Sequence, residues 1–510
     1  MTIEKWGLFE LTLNGKKDGN PFLDYDIHGE FINENESKTV DGFYDGDGQY
    51  KLRFMPSFEG KYSYRIFGSF SDETFTGDFT ATAPTGNNHG PVRVHGKYKL
   101  AYADETPHHS FGTTCYAFDM QKEEIVEKTF SELEKGYFNK LRFCIFPKHY
   151  DFCLHDPVAF PFEGTPMDAS VLTRENFMEY SGKAEGNSWD LTRFNPEFFR
   201  LHDKVIERLM ALGMEADLIL FHAYDRWGFS QMTMEENLRY LKYIAARYSA
   251  YRNVWWSMAN EYDLLPHLTE NDWDRMAWQL VSDDPYGHLI SIHNCEDFFD
   301  YSKPWVTHCS CQRFDHYKTT ETTTEMREKY GKPVIWDEVG YEGDMPHCWG
   351  NFSAQELVRR SWEAIIRGGY CGHGETYRSD DNIIWWAHGG SLKGESAKRF
   401  EFMQKFMSEV PGSGLKEGKL RDDIHIQWDD KVAIPEDDEY FGDYYFFYFS
   451  LWRPPFRQIY IDDTTWYDVE IIDTWNMTIT PVGRHKGRYE IELPGTEYIG
   501  IRLIKSESQS

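Results

Sequence analysis

The apolar and polar positions of this 510-residue chain change rhythm twice, and the changes divide it into three stretches. Up to about residue 95, short strand-like runs such as Gly7–Leu13, Tyr50–Met55 and Lys61–Phe67 are separated by turn residues: Asn14-Gly15, Asp45-Gly46-Asp47-Gly48 and Glu59-Gly60. Short strands at this spacing predict a β-sandwich. Residues 83–91 hold two prolines and two glycines and read as a linker. From 96 to about 411, short buried-type strands alternate with longer amphipathic segments. Strands are expected near Ser110–Cys115, Lys140–Phe146, Glu215–His222, Asn253–Ala259, Leu289–His293, Trp305–Ser310, Pro333–Asp337 and Tyr370–Glu375. Helices are expected over Lys122–Lys135, Phe198–Leu212, Met234–Tyr248 and Ala354–Arg367, among others. Eight such units predict a (β/α)8 TIM barrel, with the helix between strands five and six reduced to a turn. Past Pro411-Gly412-Ser413-Gly414 the strand pattern returns, in Tyr444–Leu451, Phe456–Ile461, Tyr467–Asp473 and Tyr489–Leu493. The expected fold is multidomain: an N-terminal β-sandwich over 1–95, the barrel over 96–411 and a smaller C-terminal β-sandwich over 412–510.

Composition narrows the partners. Aromatic residues make up 17% of the chain, enough to fill large β cores and to supply flat faces for sugar rings. The net charge of −30 comes with no Lys/Arg cluster, which argues against nucleic acid and against a polyanionic substrate. A small neutral carbohydrate fits that field. The eight cysteines show no disulfide-like rhythm, the first residues lack a secretory pattern, and no apolar stretch is long enough to span a membrane. These features predict a cytoplasmic protein without membrane contact. They leave its oligomeric state open, a homo-oligomer included.

The chemistry gathers at the strand ends, where barrel enzymes carry their reacting groups. Strand two carries Arg142. Strand three ends in His222 and leads to Asp225. Strand four ends in Asn260-Glu261, strand five in His293, strand six in His308, strand seven in Asp337-Glu338, and strand eight in His373 with Glu375 and Tyr377 beyond. Polar ends on seven consecutive strands imply one lined pocket. Two glutamates at the tips of buried strands are what a retaining glycosidase requires. Asp337 competes with Glu338, but in an extended strand the two side chains point opposite ways. Trp385-Trp386 offers Trp386 as an aromatic wall, and Trp227 is either a second wall or a plug. The inserts over 147–197 and 376–397 are long enough to close over the pocket.

The order Asn-Glu on strand four and Glu on strand seven resembles the glycoside hydrolase clan of retaining (β/α)8 enzymes. The strings Phe111-Gly112-Thr113-Thr114-Cys115 and Leu392-Lys393-Gly394-Glu395-Ser396 resemble its apiosidase-like branch. That resemblance implies Glu338 as nucleophile and Glu261 as acid/base, in exo-acting, retaining hydrolysis of neutral oligosaccharides or glycosides. Asn260, Arg142, His222, Asp225, His293, His308, His373, Glu375, Tyr377 and Trp386 would bind substrate, with no cofactor and no metal. Two alternatives stand beside it: a metal-dependent hydrolase using His222, His293, His308 and His373, and a non-catalytic carbohydrate-binding protein.

Overall fold

The computed structural model describes residues 1–149, 156–418, 431–461 and 463–506. Eight parallel strands form its centre: β1 (Gly112–Thr114), β2 (Lys140–Cys144), β3 (Glu215–His222), β4 (Val254–Asn260), β5 (Ile290–Ser291), β6 (Cys309–Gln312), β7 (Val334–Glu338) and β8 (Tyr370–Cys371). β1 to β5 pair in order, as do β6 to β8. Parallel bridges from His293 to Ser310 and from Thr113 to His373 join the two groups into a ring. Every residue of β3 and β4 is buried. Both strand faces are covered, so their sequences are largely apolar rather than alternating, with Glu215, Asp217 and Ser257 as buried polar exceptions.

Seven helices cover the outside: α1 (Glu123–Leu133), α2 (Pro196–Ala211), α3 (Met234–Tyr248), α4 (Glu270–Asp283), α5 (Thr323–Tyr330), α6 (Ala354–Ile366) and α7 (Ala397–Ser408). Local signals start several of them. Asn195 caps α2 with Pro196 at its first turn, and reciprocal capping boxes, Thr233 with Glu236 and Thr269 with Asp272, open α3 and α4. No helix separates β5 from β6, as the shortness of that unit implies.

Strand six departs from expectation. It runs over Cys309–Gln312 instead of Trp305–Ser310. The apolar pair Trp305-Val306 serves loop packing, with the Trp305 indole donating to Asp274 and its ring lying 5.6 Å from Phe299. His308 therefore stands at the start of β6, and Gln312 at its tip.

Before the barrel, a five-stranded sheet (Thr2–Glu4, Phe75–Thr82, Gly60–Phe67, His28–Ile32, Ser37–Asp41) and a three-stranded one (Phe9–Asn14, Gln49–Phe54, Phe43–Tyr44) share an apolar core. Phe31 of the first stacks on Phe54 of the second, centroids 4.0 Å apart. The hairpin Val92–His95/Lys99–Tyr102 follows. Its Val92 and Leu100 pack with Trp255, Leu289, Ile335 and Tyr370 and so stop the barrel floor. After the barrel comes a six-stranded sheet (Leu415–Glu417, Lys431–Pro435, Tyr444–Tyr448, Ile499–Lys505, Tyr467–Asp473, Thr478–His485) with a separate pair, Phe456–Tyr460 and Arg488–Glu492. Strand Tyr444–Tyr448 is buried on both faces. Tyr444, Phe446 and Tyr448 join the barrel's core, while Tyr445 and Phe447 join the sheet's own. Among the described residues, no helix is long and apolar enough to cross a membrane.

Candidate active site

Glu338 ends β7. Strict alternation along the strand would turn it away from the barrel interior, because Asp337 already faces inward and bonds Lys140 (2.7 Å) and Ser310 (2.6 Å) across the lumen. The β6–β7 register shifts at this point, pairing Cys311 with Trp336 and Gln312 with Glu338. The slip brings Glu338 inward as well. Its Oε1 accepts from Arg142 Nη1 on β2 (3.0 Å) and from the Tyr116 hydroxyl just past β1, and it lies 3.3 Å from His293 Nε2 past β5. The expectation that Asp337 and Glu338 point opposite ways is thus corrected. Both enter the barrel, Asp337 deeper and Glu338 at the mouth. Burial pushes the Glu338 carboxyl up, but His293, Arg142 and Lys148 outweigh it and hold the group below the usual carboxylate range.

Glu261 follows β4 with φ +55°, a left-handed conformation that costs a non-glycine residue about 1–3 kcal/mol. The backbone around it is pinned: Tyr262 N donates to His293 O and Leu264 N to Glu261 O. The carboxylate is received by three neighbours. Asn260 Nδ2 (2.9 Å) and the Tyr224 hydroxyl donate to Oε2, and Gln312 Nε2 donates to Oε1 (3.1 Å).

The two acids belong to one hydrogen-bonded constellation. On one side Arg142 Nη1 donates both to Glu338 and to Asn260 Oδ1 (2.9 Å), and the Asn260 amide passes on to Glu261. On the other, Gln312 Oε1 lies 3.3 Å from His293 Nε2, the nitrogen that faces Glu338, while Gln312 Nε2 holds Glu261. Glu261 and Glu338 are 7% and 8% exposed, which leaves each a route to substrate while most water is excluded. Lys148 lies over the rings of Tyr116 (3.3 Å) and Tyr224 (4.3 Å), the two phenols that bond the two acids. Trp386 packs edge-on to Tyr116 (5.6 Å) and against Trp349 (5.0 Å), which sets it beside the phenol that bonds Glu338. Tyr341 is buried beside them, its phenol pushed up by burial and by the Glu338 charge.

Other expected residues lie elsewhere. His308 sits at the start of β6 with its ring 5.7 Å from Trp255, on the floor. His373 points outward between Phe138 and Phe400, its Nδ1 on Thr113 Oγ1. Asp225 accepts from Trp227 N and Ser230 N and so shapes its own loop. Glu375 accepts from the backbone of Lys393 and Gly394, and Tyr377 donates to Glu342. His222 bonds Phe146 O, and burial pushes its imidazole down to about 3. Trp227 is a buried plug against Phe160 and Phe229. The four strand-end histidines do not converge, so the cluster that a metal-dependent hydrolase would draw from them is not formed. Residues 150–155 of the insert after β2 lie outside the described residues. Five contributors were not singled out from the sequence as site residues: Tyr116, Lys148, Tyr224, Gln312 and Tyr341. Lys148, Tyr224 and Gln312 stand among the polar strand ends. Tyr116 and Tyr341 lie just past β1 and β7 and read as ordinary core aromatics.

The profile of the apiosidase-like catalytic domain matches residues 97–434. Two profiles of domains of unknown function, DUF5060 and DUF5605, match residues 2–69 and 428–504. A structure from Bacteroides vulgatus ATCC 8482, provisionally described as a glycoside hydrolase, is 36% identical. The alignment covers 99% of this chain and 100% of that one, with a TM-score of 0.88. A glycoside hydrolase family 5 structure from the same organism shares the fold at 14% identity and TM-score 0.62, covering 83% of this chain and 94% of that one. No curated protein matches the chain.

Proposed function

Because the chain belongs to the apiosidase-like family of glycoside hydrolases, we propose that it is a retaining, exo-acting glycosidase on small neutral oligosaccharides or glycosides, with Glu338 as nucleophile and Glu261 as acid/base. The observation that carries this reading is the shared constellation: two carboxylates from strands four and seven, joined through Asn260–Arg142 on one side and Gln312–His293 on the other.

In the first step a Glu338 oxygen bonds to the anomeric carbon. The bond from that carbon to the leaving oxygen breaks, and the Glu261 proton passes to the leaving oxygen. Arg142 and His293 keep Glu338 ionised, while the Tyr116 hydroxyl aims it. In the second step Glu261 takes a proton from water, whose oxygen attacks the same carbon and expels Glu338. A covalent intermediate of this kind requires carboxyl groups about 5–5.5 Å apart. Asn260 lies beside Glu261 and can turn its amide to the sugar 2-hydroxyl, and Trp386 offers a face for the ring. The net charge of −30 supports a neutral substrate. The seven described cysteines are free, which supports a cytoplasmic site of action. The paired sheets at either end, divided from the barrel near residues 95 and 411, fit the β-sandwich reading of the flanks.

The test is a screen of aryl glycosides, pyranosyl and furanosyl in both anomers, followed by two variants on the substrate found. Glu261→Gln should lower turnover by several orders of magnitude, least for the most activated leaving group. Glu338→Ala should be inactive and recover with azide, giving the glycosyl azide of inverted configuration. A glycosyl azide of inverted configuration from Glu261→Ala, with one of retained configuration from Glu338→Ala, would reverse the roles.

A further inference from the structure

A second buried cluster lies outside the catalytic constellation. Beyond β8 the chain continues as Glu375–Thr376, which pairs in parallel with Glu342–Gly343 beyond β7, placing Glu342 directly opposite Glu375. His373 stands two residues before Glu375, on the same side of the chain. One ligand atom from each of Glu342, His373 and Glu375 lies within 4.8 Å of the others, and all three residues are buried. Two carboxylates set side by side in a dry interior repel each other. Burial, and then the Glu342 charge, push the Glu375 carboxyl up to about 7.

The histidine is the informative member. It is fully buried, and its Nε2 has no hydrogen-bond partner. A buried polar atom without a partner is destabilising. Its other nitrogen, Nδ1, meets Thr113 Oγ1 at 2.9 Å, and one nitrogen of this ring lies within 4.8 Å of a carboxylate oxygen of each glutamate. Burial keeps this imidazole neutral, the form that ligates metals. An anchored Nδ1 with an open Nε2 is the arrangement found behind metal-binding histidines. The carboxylates are likewise oriented from behind. Lys393 N and Gly394 N donate one bond to each Glu375 oxygen, leaving each oxygen a second lone pair. The Glu342 oxygens accept from Glu395 N and Ser396 N, and also from the hydroxyls of Tyr377 and Ser396, which can rotate aside.

We propose that Glu342, His373 and Glu375 form a binding site for one divalent transition-metal ion of the zinc class, a structural site separate from the catalytic acids. One imidazole and two carboxylates make the mixed nitrogen and oxygen donor set that suits zinc better than calcium or magnesium. The ion would offset the paired carboxylate charge and give Nε2 its partner. It would also tie strand ends seven and eight to the loop 393–396. That loop follows the segment Trp385–His388, whose Trp385 indole donates to the same Thr113 oxygen (2.9 Å) and whose Trp386 packs on Tyr116. Bound metal would therefore stiffen the segment beside Tyr116 without entering the reaction.

The full-length protein is stripped with chelator, loaded with zinc sulfate, desalted and assayed by elemental analysis, and its thermal unfolding is followed with and without zinc. The expected result is one zinc retained per chain and a midpoint several degrees higher in the zinc-loaded protein. His373→Gln and Glu375→Gln, checked for native circular dichroism, should retain none and show no zinc-dependent shift. Cobalt in place of zinc reports on wild-type protein alone, so the test survives a variant that fails to fold: it should give visible absorption bands of nitrogen and oxygen ligation. Wild-type protein that retains no zinc, variants that retain as much as wild type, or a cobalt spectrum of the fully aqueous ion would each overturn the site. Glycosidase activity does not enter the readout, so the result is independent of the catalytic proposal.

Discussion

Two buried charge networks in this molecule are finished differently. Where the N-terminal sheets meet the barrel, Arg53 grips Asp203 of α2 through both terminal nitrogens (2.9 and 3.0 Å), and its Nε donates to Glu10. Arg247 of α3 reaches the same Asp203 and also Asp45 and Tyr243. Each guanidinium nitrogen of both arginines has a partner. At the barrel mouth, Arg142 is equally buried, but only Nη1 makes hydrogen bonds, to Asn260 and Glu338; Nε has a longer ion pair to Asp217 (3.9 Å), and neither Nε nor Nη2 has a hydrogen-bond partner. A network that only fixes geometry saturates its donors, because each orphan costs about 1–3 kcal/mol. A network that serves chemistry keeps polar capacity in reserve, at the expense of stability. The seam is built to hold and the mouth to react.

The sharpest way to break this contrast is at the acids. Glu338→Ala and Glu261→Gln should each remove several orders of magnitude of turnover, measured on protein with native circular dichroism. Next comes an exchange between the networks. Arg142→Met should cost kcat/KM about 10²–10³-fold, the scale seen when a positioned electrostatic partner is lost. Arg247→Met should leave kcat/KM of the folded protein within about twofold, yet lower unfolding stability by about 3–5 kcal/mol in denaturant titration, because Asp203 and Asp45 lose a buried partner. The opposite pattern, with Arg142 structural and Arg247 kinetic, would abolish the distinction.

Acid gives a finer separation. Burial raises the Asp203 carboxyl, but Arg53 and Arg247 more than offset it and bring it down to about 2. A carboxyl depressed in the folded state contributes stability that is fully present above the unfolded pKa of about 3.9 and is lost as pH falls toward the folded value. Unfolding monitored between about pH 4 and 2 should therefore show a steeper loss in wild type than in Asp203→Asn. Glu338 is depressed too, and its ionised form is the reactive one, so the acid limb of kcat/KM should lie below the ordinary glutamate value of about 4.3. His293→Gln should move that limb upward. The smallest effect expected is that of Asp225→Asn, which disturbs one loop turn and should change KM by less than about threefold.

Much of this contrast was legible in the chain. The apolar runs of β3, β4 and β7 marked buried parallel strands, and the Asn-Glu and Asp-Glu endings marked their tips. What escaped the sequence depended on register and on direction. Strand six was expected two to four residues early because Trp305-Val306 is as apolar as a strand, and that displacement carried His308 from the floor to the imagined rim. His373 was expected in the pocket because it ends an apolar strand, yet its side of β8 faces the helices, where Phe138 and Phe400 enclose it. Glu375 looked like a sugar ligand, but its oxygens serve the backbone of a distant loop. Alternation also placed Asp337 and Glu338 on opposite faces, and one bulge at Asp337, opposite Cys311 and Gln312, put both inside. Tyr116 gave no signal at all, since a tyrosine after a barrel strand is usually packing. Its role depends on where one hydroxyl ends, which pattern alone does not convey.

The most direct test uses the activated 2-deoxy-2-fluoro glycoside of whichever sugar the enzyme accepts, which forms the glycosyl-enzyme quickly and releases it slowly. Peptide mapping by mass spectrometry should find one sugar per chain, attached to Glu338 on the peptide that contains Val334–Glu338. A sugar on Glu261 or Asp337, or turnover of the reagent with no labelled peptide at any time point, would contradict the assignment.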